Sequence, residues 1–132
     1  MKRPQAPAQP KPVHWVGSSK ADLSAFPDDV KRRVGGALWD AQIGQKAPFV
    51  KPLKGFGGGG VLEVVDDFDG DTYRAVYTVR FREVVYVLHA FQKKSTRGIQ
   101  TPKREIELIR QRLKRAGEEY EQWQRSEQKP SP

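Results

Sequence analysis

Between Thr72 and Arg80 the chain alternates with period two, and this run constrains the fold more than any other segment. Tyr73, Ala75, Tyr77 and Val79 fall on one side; Thr72, Arg74, Val76, Thr78 and Arg80 fall on the other. Successive side chains of a strand point to opposite faces, so the run reads as a strand. Asp69-Gly70-Asp71 just before it is turn chemistry, because Gly and Asp tolerate the backbone angles of a tight reversal. Val61–Val65 and Glu83–Phe91 are strand-like as well, and the short gap around Arg82 predicts a second hairpin. Together these runs predict an antiparallel meander.

Helical signals flank the meander. Val13–Val16 reads as a short strand holding His14 and Trp15. Ser18–Phe26 reads as a short helix capped by Ser18 or Ser19, with Leu23 and Phe26 on one face. Pro27-Asp28-Asp29 marks the start of a second helix, since proline suits the first turn and acids its positive end. Val30, Val34, Ala37, Leu38 and Ala41 then form a helical apolar stripe, and Gly44 stops it. Gly35-Gly36 inside the stripe costs about 1 kcal/mol per glycine relative to alanine, which predicts that another element packs closely there. Residues 45–60 read as a mobile loop ending in Gly55-Phe56-Gly57-Gly58-Gly59-Gly60. This contains G-x-G-x-x-G, but ahead of a strand and not between a strand and a helix, so dinucleotide binding is excluded by context. Thr101 and Pro102 supply the N-cap and first position of a last helix with the stripe Ile106, Ile109, Leu113 and Ala116. Gly117 is expected to break it, Glu118–Gln124 to resume it, and the tail from Ser126 to fray. Trp15 and Trp39 are expected to pack in the core, Trp123 to face a partner. The order β-α-α-β-β-β-α defines an α+β protein.

Charge narrows the function. The chain carries 24 Lys and Arg against 16 Asp and Glu, a net +8. The excess sits at the ends: three basic and no acidic residues in 1–12, ten of each in 13–92, eleven basic and six acidic in 93–132. Such a field favours a polyanionic partner. There are no cysteines, which excludes disulfides, thiolate metal sites and a cysteine nucleophile. With two histidines, His14 and His89, a histidine-rich metal site is not expected. Asp66, Asp67, Asp69 and Asp71 read as a solvated turn in preference to a cation loop. No apolar run is long enough to cross a membrane, and the Met-Lys-Arg-Pro start lacks a secretory core, so no membrane association and a cytoplasmic location are expected. Residues 1–12, with four prolines, read as a disordered basic arm.

Several runs acquire meaning together: Tyr73-Arg74-Ala75-Val76-Tyr77, then Leu88-His89-Ala90-Phe91-Gln92-Lys93-Lys94-Ser95, then Thr101-Pro102 and a helix containing Glu105-Ile106, with Pro52-Leu53-Lys54-Gly55 upstream. This set resembles the RelE/HigB superfamily of toxins from bacterial type II toxin–antitoxin systems, and in particular its phage-derived Gp49-like branch. The resemblance covers residues 13–116, leaving 117–132 as a helical extension and frayed tail. It implies a small RelE-like fold with two N-terminal helices on a mostly antiparallel twisted sheet and a C-terminal helix. It further implies a toxin that cleaves mRNA in the ribosomal A site without metal or organic cofactor. The implied partners are the ribosome, mRNA and a cognate antitoxin, often a helix-turn-helix protein like HigA, with operator DNA reached only through the toxin–antitoxin complex. The alternative is a noncatalytic basic module that binds RNA or the ribosome, or serves a phage regulator.

Carried over residue by residue, the resemblance implies Arg74, Lys93 and Lys94 as phosphate contacts of the catalytic set, with His89 as a proton-transfer candidate. The neighbours of His89 favour a core or edge histidine, on the side of Val85 and Val87. Lys51, Lys54, Arg80 and Arg97 are RNA-contact candidates. Tyr77 is a base-stacking candidate whose position also suits the core. RNA brings its own nucleophile, the 2′-OH, so a nuclease of this kind aligns the attack and stabilises the phosphorane with guanidinium or ammonium groups. One departure stands out. Relatives usually carry a basic residue in the strand before Tyr-Arg, where this chain has Val61-Leu62-Glu63-Val64-Val65-Asp66-Asp67.

Overall fold

The structure is a computed structural model that describes residues 9–93 and 101–128. Its elements are β1 (Val13–Trp15), α1 (Ser19–Ser24), α2 (Asp28–Gln42), β2 (Lys51–Pro52), β3 (Val61–Phe68), β4 (Asp71–Thr78), β5 (Val85–Lys93) and α3 (Lys103–Gln128). The alternating run is β4, the middle strand of a five-stranded sheet in the order β1-β5-β4-β3-β2. All neighbours are antiparallel except β1 with β5. Phe68 pairs with Asp71, which leaves a two-residue loop of Asp69 and Gly70 with φ of 52° and 85°. Positive φ at both positions is what a tight hairpin turn demands, and Asp-Gly meets it at low cost.

Both faces of the sheet are covered, which makes β4 buried along nearly its whole length. On one face, Leu62, Val64, Tyr73, Ala75, Tyr77, Val85, Val87 and Ala90 pack against Leu23 and Phe26 and the stripe of α2. Phe26 meets Tyr73 edge to face at 4.9 Å. On the other face, Val61, Val76, Tyr86 and Leu88 pack against Ile109, Ala116 and Tyr120 of α3, with Leu53 and Phe56 closing one side. This is an α+β sandwich of helices, sheet and helix.

Several expectations are corrected. Gly35 and Gly36 are exposed, with nothing within 4 Å of where a side chain would begin. No element packs on them; their combined cost of about 2 kcal/mol is outweighed by burying Val30, Val34 and Leu38, worth about 1.5–3 kcal/mol each. Trp39 lies off that stripe and is 50% exposed, whereas Trp15 packs against the core. The segment 45–60 contains β2, a two-residue edge strand on β3. Gly117 does not break α3, which continues to Gln128, because Tyr120 extends the apolar stripe to Phe81 and bonds the carboxylate of Glu83. The arm is tied at its end: Lys11 N–H donates to the Gln42 carbonyl at 2.9 Å, and Val85 N–H to the Pro12 carbonyl at 3.0 Å.

Tyr77 is 1% exposed, and among the described residues its hydroxyl has no hydrogen-bond partner. Burial, with the nearby Asp40 carboxylate, pushes its pKa up to about 12. An orphaned buried hydroxyl costs about 1–3 kcal/mol, so Tyr77→Phe is expected to be as stable as the parent or more stable in urea unfolding at neutral pH. In the window from about pH 10 to 12 the unfolded tyrosine loses its proton while the folded one keeps it. Stability therefore falls as pH rises through that window. Tyr77→Phe should flatten this alkaline fall without abolishing it, since Tyr86 and Tyr120 are also shifted upward.

Candidate functional site

Polar side chains enter the α3 face of the sheet from three adjacent strands. Glu63 comes from β3, Arg74 from β4 and His89 from β5. Arg74 is only 3% exposed. Its guanidinium donates to the Glu63 carboxylate at 3.3 Å and to the hydroxyl of Thr101, just ahead of α3, at 2.9 Å. Burial pushes the Glu63 carboxyl above its ordinary value, and the Arg74 charge and hydrogen bond, with Lys51, offset this only in part. The acidic departure noted in the sequence is therefore the counter-ion of Arg74.

His89 lies on the opposite side from the one its neighbours suggested. Val76 pairs with His89 but Tyr77 with Val87, so Leu88 has no counterpart on β4. This bulge turns both Leu88 and His89 towards α3, while Val85, Val87 and Ala90 face α2. His89 Nε2 bonds the carboxylate of Glu105 on the first turn of α3. Arg112, two turns on, sends one guanidinium nitrogen to the Leu88 carbonyl at 3.0 Å and to His89 Nδ1 at 3.2 Å, and the other to Ser18 Oγ at 3.1 Å. Ser18 donates in turn to Asp22 at 2.7 Å. An arginine only donates, so Nδ1 accepts; this assigns the ring proton to Nε2, facing Glu105. The ring of His89 stacks on Phe91 at 5.0 Å.

The cluster opens to solvent through a cleft of about 310 Å³ between the end of β5 and the start of α3, lined by Phe91, Gln92, Lys93, Pro102, Arg104 and Glu105. Arg104 Nε lies 3.6 Å from Glu105, whose other oxygen holds His89. A carboxylate braced by a histidine, with Lys93 and Arg104 beside it, can accept a proton and stabilise a developing anion. Sequence reasoning missed Glu105, Arg104 and Arg112 as site residues. Glu105 was visible only as part of the Thr-Pro-x-x-Glu-Ile run, and nothing in the sequence paired Arg112 with the strand.

The other sequence candidates separate. Lys51 sits exposed on β2, opposite Glu63. Lys54 is exposed on the following loop. Arg80 lies at the far end of β4 against the glycine-rich loop. Tyr77 faces α2 inside the core, so as placed it offers no ring to a base. Lys94 and Arg97 lie outside the described residues. In the aspartate-rich turn, Asp67 accepts from Thr72 at 2.7 Å and Asp71 from Gln92 at 2.8 Å. Among the described residues no three His, Asp or Glu side chains group as metal ligands. No helix there is long and apolar enough to cross a membrane.

Residues 21–114, well over half of the chain, match the family described as phage derived protein Gp49-like. The chain belongs to this family. As a Gp49-like protein it shares its fold with a free-state mutant of the E. coli toxin RelE, at a TM-score of 0.50 and 16% identity over 80% of this chain and 97% of that one. A second similar structure is the toxin–antitoxin complex RelBE2 from Mycobacterium tuberculosis, at 0.43 and 18% over 64% of this chain and 99% of that one. Among curated proteins no significant match is found. The RelE-like arrangement expected from the sequence, helices against a mostly antiparallel sheet, is the one present in this Gp49-like chain.

Arg74 is thus part of the interior, and removing it is a structural change. Breaking a buried ion pair costs about 3–5 kcal/mol; with Glu63 at 16% exposure, Arg74→Ala is expected near the lower end, about 3 kcal/mol, read from urea unfolding at neutral pH. A loss of activity in Arg74→Ala is interpretable only with that measurement beside it.

Proposed function

We propose that this Gp49-like chain is the toxin of a type II toxin–antitoxin pair and a ribosome-dependent mRNA endonuclease acting in the cytoplasm. The observation that carries this reading is the cleft in which Lys93 and Arg104 flank the Glu105–His89 pair. The RelE-like fold and the excess of basic residues after position 92 support it.

In this mechanism a messenger strand enters the cleft with its scissile phosphate between Lys93 and Arg104. Glu105, braced by the Nε2–H of His89, takes the proton of the 2′-OH as that oxygen attacks phosphorus; the P–O5′ bond breaks, leaving a 2′,3′-cyclic phosphate, and the departing 5′-oxygen takes a proton from Lys93. Lys93, Arg104 and Lys94 of the adjoining segment carry the charge on the phosphorane, which makes a metal ion unnecessary to the step. Arg74 acts from behind by holding Thr101 at the start of α3. Lys51, Lys54 and Arg97 are secondary contacts to RNA phosphates. A cognate antitoxin, helix-turn-helix and HigA-like, holds the protein inactive and supplies the contact to operator DNA. The second reading, a noncatalytic RNA- or ribosome-binding module, draws on the neutralisation of Arg74 by Glu63.

Primer extension on transcripts from cells expressing the protein separates the two readings. New 5′ ends, formed also on purified ribosomes, are expected for the endonuclease. Growth arrest without new ends would leave only the binding module. Glu105→Gln should lower the cleavage rate by roughly 10²–10⁴ and Lys93→Ala by roughly 10²–10³, both with little change in urea midpoint.

A further inference from the structure

A second basic concavity lies apart from the cleft, between the glycine-rich loop and the middle of α3. It is a shallow groove of about 500 Å³ whose charged lining is Arg80, Arg110 and Lys114, over a floor of Phe56 and Leu113. No acidic side chain lines it, and among the described residues none of the three cations is in an ion pair.

Two of the cations are held in place by the loop. Arg110 donates to the Gly55 carbonyl at 3.0 Å and lies over the Phe56 ring at 4.7 Å. Arg80 donates to the carbonyls of Phe56 and Gly59. Its stem runs so close to Gly60 that a Cβ there would collide with Arg80 Cγ. Only glycine leaves room for this approach. Each guanidinium uses one or two of its five N–H groups on the loop and keeps others for a ligand. The side chains are thus ordered before any partner arrives, which lowers the entropy lost on binding.

We propose that this groove docks the phosphodiester backbone of RNA, as a site separate from the cleft at Lys93. A row of guanidinium and ammonium groups suits phosphate oxygens, which need charge and hydrogen-bond donors but no apolar burial. An acidic protein segment would need an apolar pocket for an anchoring side chain. The shallow floor offers none, because Phe56 is buried and capped by Arg110 and Leu113 is packed against the core cluster. The choice of RNA rests on the function proposed above; the groove itself does not depend on cleavage.

The test is binding of a fluorescein-labelled oligoadenylate to the full chain, followed by anisotropy across a salt series. For single strands the slope of log K against log salt is about −0.7 per phosphate neutralised. The double variant Arg110→Gln with Lys114→Gln should therefore flatten the slope by about 1.4, with a urea midpoint near that of the parent. Arg110→Lys with Lys114→Arg should restore most of it. An unchanged slope in the Gln variant overturns the proposal, and if growth arrest persists it leaves the toxin reading standing. Tighter binding of polyglutamate than of oligoadenylate, lost in the same variant, also overturns it in favour of an acidic protein partner. A flattened slope with no transcript cleavage anywhere keeps the groove and removes the endonuclease.

Discussion

Arg112 reaching onto the Leu88 bulge is the contact on which the arrangement of this protein depends. Covering both faces of a sheet leaves any polar group on it cut off from water, and such groups cost several kcal/mol when unmet. Glu63, Arg74 and His89 all point under α3: Glu63 and Arg74 meet each other, Thr101 ahead of the helix meets Arg74, and Glu105 and Arg112 of the helix meet His89. The apolar stripe of Ile109, Ala116 and Tyr120 fixes which face of the helix is down. The polar pairs fix where along the sheet it sits.

That division explains how far the sequence could be read. Both faces of β4 were legible because period two survives along it, and Pro27-Asp28-Asp29 and Thr101-Pro102 marked helix starts because the first-turn preferences of proline and acids are local, although the Thr101 hydroxyl accepts from Arg74 and does not cap the helix. The side taken by His89 was not legible. One extra residue in β5 inverts the alternation beyond it, and a bulge has no period of its own. Gly117 misled for the opposite reason: its intrinsic helix cost is real, but Phe81, Glu83 and Tyr120 outweigh it from a distance in sequence. Trp39 was misjudged by residue type although its position off the α2 stripe was already visible. At the site, Arg74 was found by motif and its surroundings were not, since pairing with Glu63 is a fact of cross-strand geometry. Glu105 and Arg112 needed the helix to be laid on the sheet.

The basic excess, so plain in the composition, turns out to be sorted. Part of it is internal, as in Arg74 and Arg112. Part is matched locally along the helix, as in Arg115 with Glu119 and Arg125 with Glu121. Two openings along the first half of α3 are lined by basic side chains, one by Lys93 and Arg104, the other by Arg80, Arg110 and Lys114. Net charge alone would have spread the field over the whole molecule.

The parallel pairing of β1 with β5 carries a kinetic consequence. Val13 pairs with Val85 across both N-terminal helices and the strands β2 to β4. Joining them closes nearly the whole ordered length of chain before α3, an entropic step that local hairpins do not face. The meander can assemble from short-range contacts, whereas β1 docks onto a sheet that must already exist. The rate at which this protein reaches its native state should thus be governed by its first strand arriving last.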